Sequence, residues 1–282
     1  MTKQEQEQRK IDSELDKTKP SEITSKKSHG EILKEQICEA QEVYKKSPLS
    51  ILSSSVTAGL EIGFTFLLLC CLFFFLEGKV AEDTIFKMLS VVYPVGFILV
   101  ILGQSILFTE QTSLLTLPVL NRKQGIGQLL RLWGLVIAGN LLGGWAMAGI
   151  LVWIGPKLNI FTLDVVRKIA EHVTDYSGEV IFVSAILAGW LMGLLSWVVT
   201  SSKETISRIF IIYMITAILA FAGLHHSIVG NVEVFAGLIS GPEISWMDYL
   251  KFQSIALVGN ALGGAVFVAL LKYRAFVTNV TS

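Results

Sequence analysis

Four ionisable side chains interrupt stretches of sequence that are otherwise apolar: Glu61, Glu110, His225 and His226. An Asp, Lys or Arg at the centre of a bilayer costs about 2.5–3.5 kcal/mol on insertion scales, so an ionisable residue at that depth is a candidate for function. A neutral histidine can donate a hydrogen bond to an anion, whereas an ionised glutamate in a dry pore repels anions and favours cations or neutral solutes. The four residues therefore predict a pathway for small solutes.

Each of these residues also has a purely structural interpretation. Two histidines beside a helix break can simply bind the backbone carbonyls that the break leaves free. Neighbouring residues rarely face the same way, so we expect His226 more than His225 to line the pathway. We expect Glu61 to hold a break from the side through backbone N–H groups, and Glu110 to lie near His226 and set charge selectivity with it.

Long apolar segments must position these residues. The chain is 52% hydrophobic and 16% charged, and its mean hydropathy of +0.61 is too high for a water-soluble globule of 282 residues. We therefore predict an all-α polytopic membrane protein in a lipid bilayer. The formal net charge of zero gives no reason to expect nucleic acid as a partner. Six segments reach the roughly 20 residues that a spanning helix needs: about 51–76, 85–118, 127–155, 179–201, 207–239 and 248–273.

The second and fifth segments are longer than one span needs, and each carries polar residues near its middle. Thr109 and Glu110 lie in the second segment, and His225, His226 and Asn231 lie in the fifth. Non-helical backbone at membrane depth is tolerated only where it is buried in protein or lines a wet cavity. Two broken helices therefore predict an internal pathway.

A sequence repeat relates the two halves of the chain. Residues 139–144, GNLLGG, recur as residues 259–264, GNALGG. A unit of three spans is odd, so its second copy enters the membrane from the opposite side, which gives an inverted repeat with its pathway near the midplane. The glycines suit close helix packing. The two asparagines, Asn140 and Asn260, are expected either to face the pore or to hold the broken helices.

The polar ends of the chain suggest its organisation and orientation. Lys and Arg residues such as Arg122, Lys123 and Arg208 concentrate in loops on one side, which predicts that both termini are cytoplasmic in an inner or plasma membrane. The three cysteines do not have the spacing of a metal site, and the sequence contains no nucleophile–base pair with the spacing of an active site. No metal, cofactor or enzymatic activity is therefore predicted. The predicted division is a disordered arm over 1–28, an amphipathic surface helix over 29–48, a channel domain over 49–275 and a short tail over 276–282.

Several motifs resemble the formate/nitrite transporter family, over about residues 50–275. They are AGLEIG at 58–63, LFT at 107–109, the two Gly-Asn pairs, and HSI at 226–228 followed by Asn231. The resemblance implies a homo-pentamer of aquaporin-like protomers that pass small monovalent anions such as formate or nitrite. It also implies that the LFT segment, which contains Leu107, Phe108 and Thr109, belongs to a gating loop, and that the central His protonates or polarises the anion.

The chain departs from the family pattern at its motifs. Ile106 stands where the family usually has an acid, and Glu110 stands where it has a small residue. The spacing from His226 to Asn231 is five residues, where the family usually has four, and an additional His225 precedes. These departures look like a divergent branch, whose substrate the resemblance does not settle.

The leading functional interpretation is a passive or proton-coupled channel for a small monovalent ion or weak acid. Tyr93, Phe97 and Phe108 could form apolar constrictions in such a channel, although aromatic residues of membrane helices also serve plain packing. The alternatives are a channel for cationic or neutral solutes, and a membrane scaffold or sensor that retains the fold without transporting.

Overall fold

The computed structural model describes residues 3–17 and 27–281, and every regular element in this part of the chain is helical. A 3-10 turn at Leu89–Val91 precedes α5, and a π-helical segment at Gly263–Leu270 joins α13 to α14. The helices are α1 Lys3–Lys17, α2 His29–Lys45, α3 Pro48–Leu76, α4 Glu82–Met88, α5 Pro94–Leu102, α6 Phe108–Leu114, α7 Thr116–Leu120, α8 Ile126–Ile154, α9 Leu163–Thr174, α10 Gly178–Ser201, α11 Thr205–Phe221, α12 Ser227–Ser240, α13 Trp246–Leu262 and α14 Leu271–Thr281.

Six membrane segments with a broken second and a broken fifth helix are confirmed. The second is divided into Glu82–Leu102 and the short helices α6 and α7, and the fifth into α11 and α12. The described residues contain five helices that are long and apolar enough to cross a membrane: Pro48–Leu76, Glu82–Leu102, Ile126–Ile154, Gly178–Ser201 and Trp246–Val280.

The two halves repeat the same helix crossing. In the first half α3 packs on α8, and in the second half α10 packs on α13. A Cβ added at Gly59 would collide with the carbonyl oxygen of Asn140, and a Cβ added at Gly189 would collide with that of Asn260. Glycine is required at both crossings because a backbone carbonyl cannot give way to a side chain. The inverted three-helix repeat thus rests on equivalent close contacts.

The backbone turns out of the helix in the same way at both breaks. Gln104 in the first break has φ 58°, and Gly223 in the second has φ 66°. Before each turn the helix closes with equivalent bonds: the Gly103 N–H donates to Leu99 at 2.8 Å, and the Ala222 N–H donates to Ile218 at 2.9 Å. Left-handed backbone suits glycine and is less favourable for Gln104.

The N-terminal part of the chain differs from our expectation of disorder where the structure describes it. Helix α1 covers residues 3–17, while residues 1–2 and 18–26 of the predicted arm lie outside the described residues. Ile11 and Leu15, four residues apart, form an apolar stripe that is buried in a cluster with Tyr273. Sequence analysis overlooked this stripe because a single pair of apolar residues stands out little among so many charges.

Helix α2 lies against the membrane segments with its apolar face. A capping box between Ser28 and Glu31 starts the helix. Gln36 donates to the hydroxyl of Ser196 at 3.1 Å, and the Tyr44 hydroxyl donates to the Leu115 carbonyl at 2.9 Å. The helix that we expected over residues 29–48 is therefore bonded to the ends of two membrane segments.

The long connection between α8 and α10 contains an additional helix, α9. The six predicted spans left residues 156–178 without a helix. Its apolar side chains Val165, Val166 and Ile169 are buried, and α9 packs against the half-helix α12. Helix α9 thus covers the end of the bundle opposite to α2.

Candidate functional site

Two asparagines hold the two breaks through one hydrogen-bond scheme. Asn140 accepts from the Phe108 N–H at 2.8 Å and donates to the carbonyls of Ser55 at 2.8 Å and Ile106 at 2.9 Å. Its side chain thereby satisfies backbone groups that the first break leaves without helical partners. The three bonds connect Asn140 to the backbone on both sides of the Ile106–Phe108 segment and to α3.

Asn260 does the same for the second break. It accepts from the Ser227 N–H at 2.8 Å and donates to the carbonyls of Ala185 at 2.7 Å and His225 at 3.1 Å. The scheme places Leu107 of the first half and His226 of the second half at equivalent positions, each immediately before a half-helix. Leu107 is fully buried, with no side-chain bond to its helix.

His226 joins the two half-helices at the centre of the bundle. Its Nε2 lies 2.7 Å from Oγ1 of Thr109, and its Nδ1 accepts from the Val229 N–H at 3.2 Å. Because Nδ1 is an acceptor, a neutral ring carries its proton on Nε2 and donates it to Thr109. His226 is 2% exposed and Thr109 is 0% exposed, so the pair is sealed from solvent.

Aromatic rings pack around this pair. Phe97 meets the His226 ring edge to face at a centroid distance of 5.1 Å, and Tyr93 lies 5.5 Å beyond Phe97. Phe108 packs edge to face on Trp133 at 5.8 Å. The two predicted constriction residues, Phe97 and Tyr93, thus lie beside His226, while Phe108 packs toward α8.

A small cavity lies on the α9 side of His226, and we call it the histidine cavity. Its volume is about 70 Å³, and His225 and His226 both line it. The His225 Nδ1 is 2.8 Å from the hydroxyl of Ser184. Both histidines can face one cavity because they belong to the break, where neighbouring side chains do not follow helical spacing. The cavity's titratable residues are Tyr93, His172, Tyr176, His225, His226 and Glu233, and no described residue that lines it is Lys or Arg.

A larger cavity lies on the α2 side of the pair, and we call it the glutamate cavity. Its volume is about 370 Å³, and its wall includes Ile106, Glu110 and Gln111 from the first break and α6. Partial burial raises the pKa of Glu39 at the mouth of this cavity, with the neighbouring Glu35 adding to the effect. Its charged lining residues are Glu35, Glu39, Glu42, Lys46, Glu110 and Arg208.

The structure does not join Glu110 to His226, in contrast to our expectation. Thr109, one residue earlier, bonds to His226, whereas Glu110 lines the glutamate cavity. Successive residues of a helix point about 100° apart, so two neighbours cannot both face the same ring. The break separates the two residues into different cavities, each on its own side of the Thr109–His226 pair.

Two other predicted residues have different surroundings from those we expected. Glu61 lies beside Gly103, but its buried Oε2 has no hydrogen-bond partner; Ser54 accepts the Ile106 N–H instead, at 3.2 Å. Asn231 lines neither cavity. It accepts from the Tyr249 hydroxyl at 2.7 Å and donates to the Leu141 carbonyl at 3.3 Å, which links α12 to α13 and α8.

Sequence analysis missed Glu233, which lies on α12 and lines the histidine cavity. The residue is 6% exposed. The signal was present in the sequence, because Glu233 is an acid within the fifth apolar segment, as Glu110 is within the second. The same depth criterion that selected Glu110 would have selected it.

Comparison with known proteins agrees with this architecture. The family model described as Formate/nitrite transporter matches residues 30–274. The inner membrane protein YfdC of Escherichia coli K12 is 31% identical over 235 residues, which are 81% of this chain and 73% of YfdC. The nitrite transporter NirC of Salmonella typhimurium is 28% identical over 235 residues, which are 79% of this chain and 82% of NirC.

Solved structures share the fold. An FNT family ion channel superimposes with a TM-score of 0.76 at 24% sequence identity, covering 86% of this chain and 98% of that one. A pentameric formate channel with formate bound gives a TM-score of 0.69 at 21% identity, covering 82% and 98%. The resemblance found in the motifs is confirmed, and the likeness to YfdC agrees with the expected divergent branch. The chain belongs to the formate/nitrite transporter family.

Proposed function

We propose that this protein is a membrane channel, or a channel-like transporter, for a small monovalent anion. The solute crosses either as the anion or as its protonated weak acid. The observation that carries the proposal is the hydrogen bond between His226 and Thr109, which lies between the two cavities. A solute that moves from one cavity to the other would have to pass this pair. Relatives named as nitrite transporters and formate channels support the choice of solute.

The chemistry of His226 suits an anion in transit. The Val229 N–H fixes Nδ1 as an acceptor, so the Nε2–H is directed to Thr109. An incoming anion can replace the Thr109 hydroxyl as the acceptor of this proton. Helix α12 starts directly after His226, and the positive end of its dipole stabilises negative charge there.

The residues that line the two cavities favour a cation or a neutral solute over an anion. Glu110 lines one and Glu233 lines the other, and no described residue lining the histidine cavity is Lys or Arg. A fixed carboxylate repels an anion in a low-dielectric site. This observation favours a second candidate, a channel for a small cation or neutral solute. It also favours passage of the neutral weak acid over passage of the bare anion.

We further propose that the glutamate cavity faces the cytoplasm and that the protein forms a homo-pentamer. Gln8 of α1 donates to Asn121 at 2.9 Å, and the Tyr273 hydroxyl near the C-terminus donates to the same side chain at 3.1 Å. Helices α1 and α14 thus lie on one face, together with Arg122 and Lys123, and positive charge favours the cytoplasmic side. The pentamer is suggested by the pentameric formate channel of the same fold.

Ion permeability of the purified protein in liposomes tests the proposed function. We expect efflux of formate or nitrite that exceeds that of protein-free liposomes and increases when the pH inside the liposomes is lowered, because protonation there supplies more of the neutral acid. A preference for potassium over formate, measured as a diffusion potential, would support the second candidate instead. The absence of any solute flux would favour the scaffold interpretation.

A further inference from the structure

Glu233 is a buried carboxyl group that the other described residues leave without a partner. It is 6% exposed and makes no hydrogen bond or ion pair with any described residue. Glu77, by contrast, accepts from Lys168 at 2.7 Å. A buried carboxyl group without a cationic partner favours its neutral form, and a positively charged ligand would stabilise its ionised form.

The cavity beside Glu233 has room for a small ligand. Its volume of about 70 Å³ exceeds the roughly 10–15 Å³ that one water molecule needs. Its wall contains the aromatic rings of Phe86, Tyr93, Tyr176 and Phe252. Aromatic faces attract cations, and a carboxylate adds a charge-assisted hydrogen bond to an N–H donor.

The titratable groups that face the cavity from other elements hardly oppose the binding of a cation. His172 comes from α9, and His225 and His226 come from the second break. Burial lowers the pKa of His172, and the positive charge of Lys87 lowers it further, which favours the neutral ring. With no described Lys or Arg in the lining, no protein cation occupies the position opposite Glu233.

We propose that the histidine cavity is a binding site for a small monovalent cation, of the ammonium or alkali class, held by the carboxylate of Glu233. The site lies directly on one side of His226. A bound cation would therefore give a permeating anion a counter-charge at the entrance to the Thr109–His226 pair. The cation site stands independently of anion transport, because binding is measured without flux.

Equilibrium binding of radiolabelled methylammonium and rubidium to the detergent-purified protein tests the site. We expect saturable binding of both, competition between them, and no competition by the much bulkier tetrabutylammonium. Glu233→Gln should weaken binding by about tenfold or more, because a charge-assisted contact is replaced by a neutral one. Glu171→Gln on the exposed face of α9 is the matched control and should bind as the wild type does.

The results decide the proposal in either direction. Absence of saturable binding of either cation to the wild type would overturn it, as would a Glu233→Gln variant of unchanged affinity. Should that variant fail to fold, Glu233→Asp and the size selectivity of the wild type provide the decision. Displacement of methylammonium by tetrabutylammonium would then contradict a site of this size. None of these outcomes bears on whether the protein passes formate or nitrite.

Discussion

The two halves of the bundle use the same backbone arrangement and different side chains at its centre. Asn140 and Asn260 make three equivalent hydrogen bonds each, at breaks that turn through equivalent residues. Immediately before the half-helix, however, the first half has Leu107 and the second has His226. The repeat therefore keeps the asparagine hydrogen bonds that each broken helix needs. Only the second half has a polar side chain immediately before its half-helix.

A second equivalent pair makes the same point. Thr112 of the first half approaches Gly264, and Asn231 of the second half approaches Gly144. Both contacts place a polar side chain against a glycine of the facing span. Only Asn231 extends the contact, through Tyr249, whose hydroxyl also accepts from Trp145 at 2.7 Å. The second half thus carries the more extensive polar network.

Removal of the asparagines should have the largest effect, and should have it in both halves. Asn140→Ala and Asn260→Ala each delete three buried hydrogen bonds and leave backbone groups without partners, which should cost about 3 kcal/mol in the free energy of unfolding or more. Thermal unfolding of the purified variants in detergent measures this. Asn279→Ala, at an exposed position of α14, should unfold as the wild type does. A loss confined to one half would refute the equivalence of the two breaks.

Removal of the Glu110 charge should remove one difference between the two halves. Val229 holds the equivalent position in the second half, so Glu110→Gln makes the first half neutral there, as the second already is. We expect permeability to shift toward anions by about tenfold, or about 1.4 kcal/mol in barrier height. The diffusion potential of proteoliposomes reports this shift, with exposed Glu204→Gln as the control. An unchanged ion preference would make Glu110 a structural residue.

Thr109→Val should weaken the contact between the two halves, and its effect should be smaller than those of the preceding variants. Valine keeps the shape of threonine but removes the hydroxyl that His226 contacts at 2.7 Å. Loss of one such bond should destabilise the protein by about 1 kcal/mol and alter the pH dependence of flux. Thr57→Val is the matched control, because the Thr57 hydroxyl bonds only to the Ser53 carbonyl of its own helix. Identical pH profiles of flux for the two variants would argue against a role of the Thr109–His226 hydrogen bond in transport.

The smallest effect concerns Glu39, where α2 borders the glutamate cavity. Its pKa is raised in the folded protein, chiefly by burial and then by Glu35, so the folded state holds this proton more tightly than the unfolded state does. Docking of α2 should therefore weaken slightly as the pH rises from the ordinary glutamate pKa through the raised pKa of Glu39. Hydrogen exchange of α2 should show this trend in the wild type and lose it in Glu39→Gln. In Glu42→Gln, which removes the partner of Lys45, the trend should persist.

The sequence predicted the spans, the breaks and the two asparagines, because hydropathy, polar interruptions and an internal repeat are local signals. It did not predict the partner of His226, since the rotation of α6 about its axis directs Thr109, not Glu110, to the ring. The role of Asn231 depends on Tyr249, which lies on another span. Such contacts are set by how the helices pack, and no spacing along the chain encodes them.

The rate of formate or nitrite efflux from proteoliposomes that contain His226→Asn tests the central claim most directly. Asparagine is a favourable N-cap, so it can still cap α12, but it lacks the Nε2–H that reaches Thr109. The account predicts a folded protein whose flux falls by about tenfold or more and no longer depends on pH near neutrality. His29→Asn, at an exposed histidine of α2, should leave both properties unchanged. Wild-type flux and pH dependence in His226→Asn would contradict a pathway through the Thr109–His226 pair.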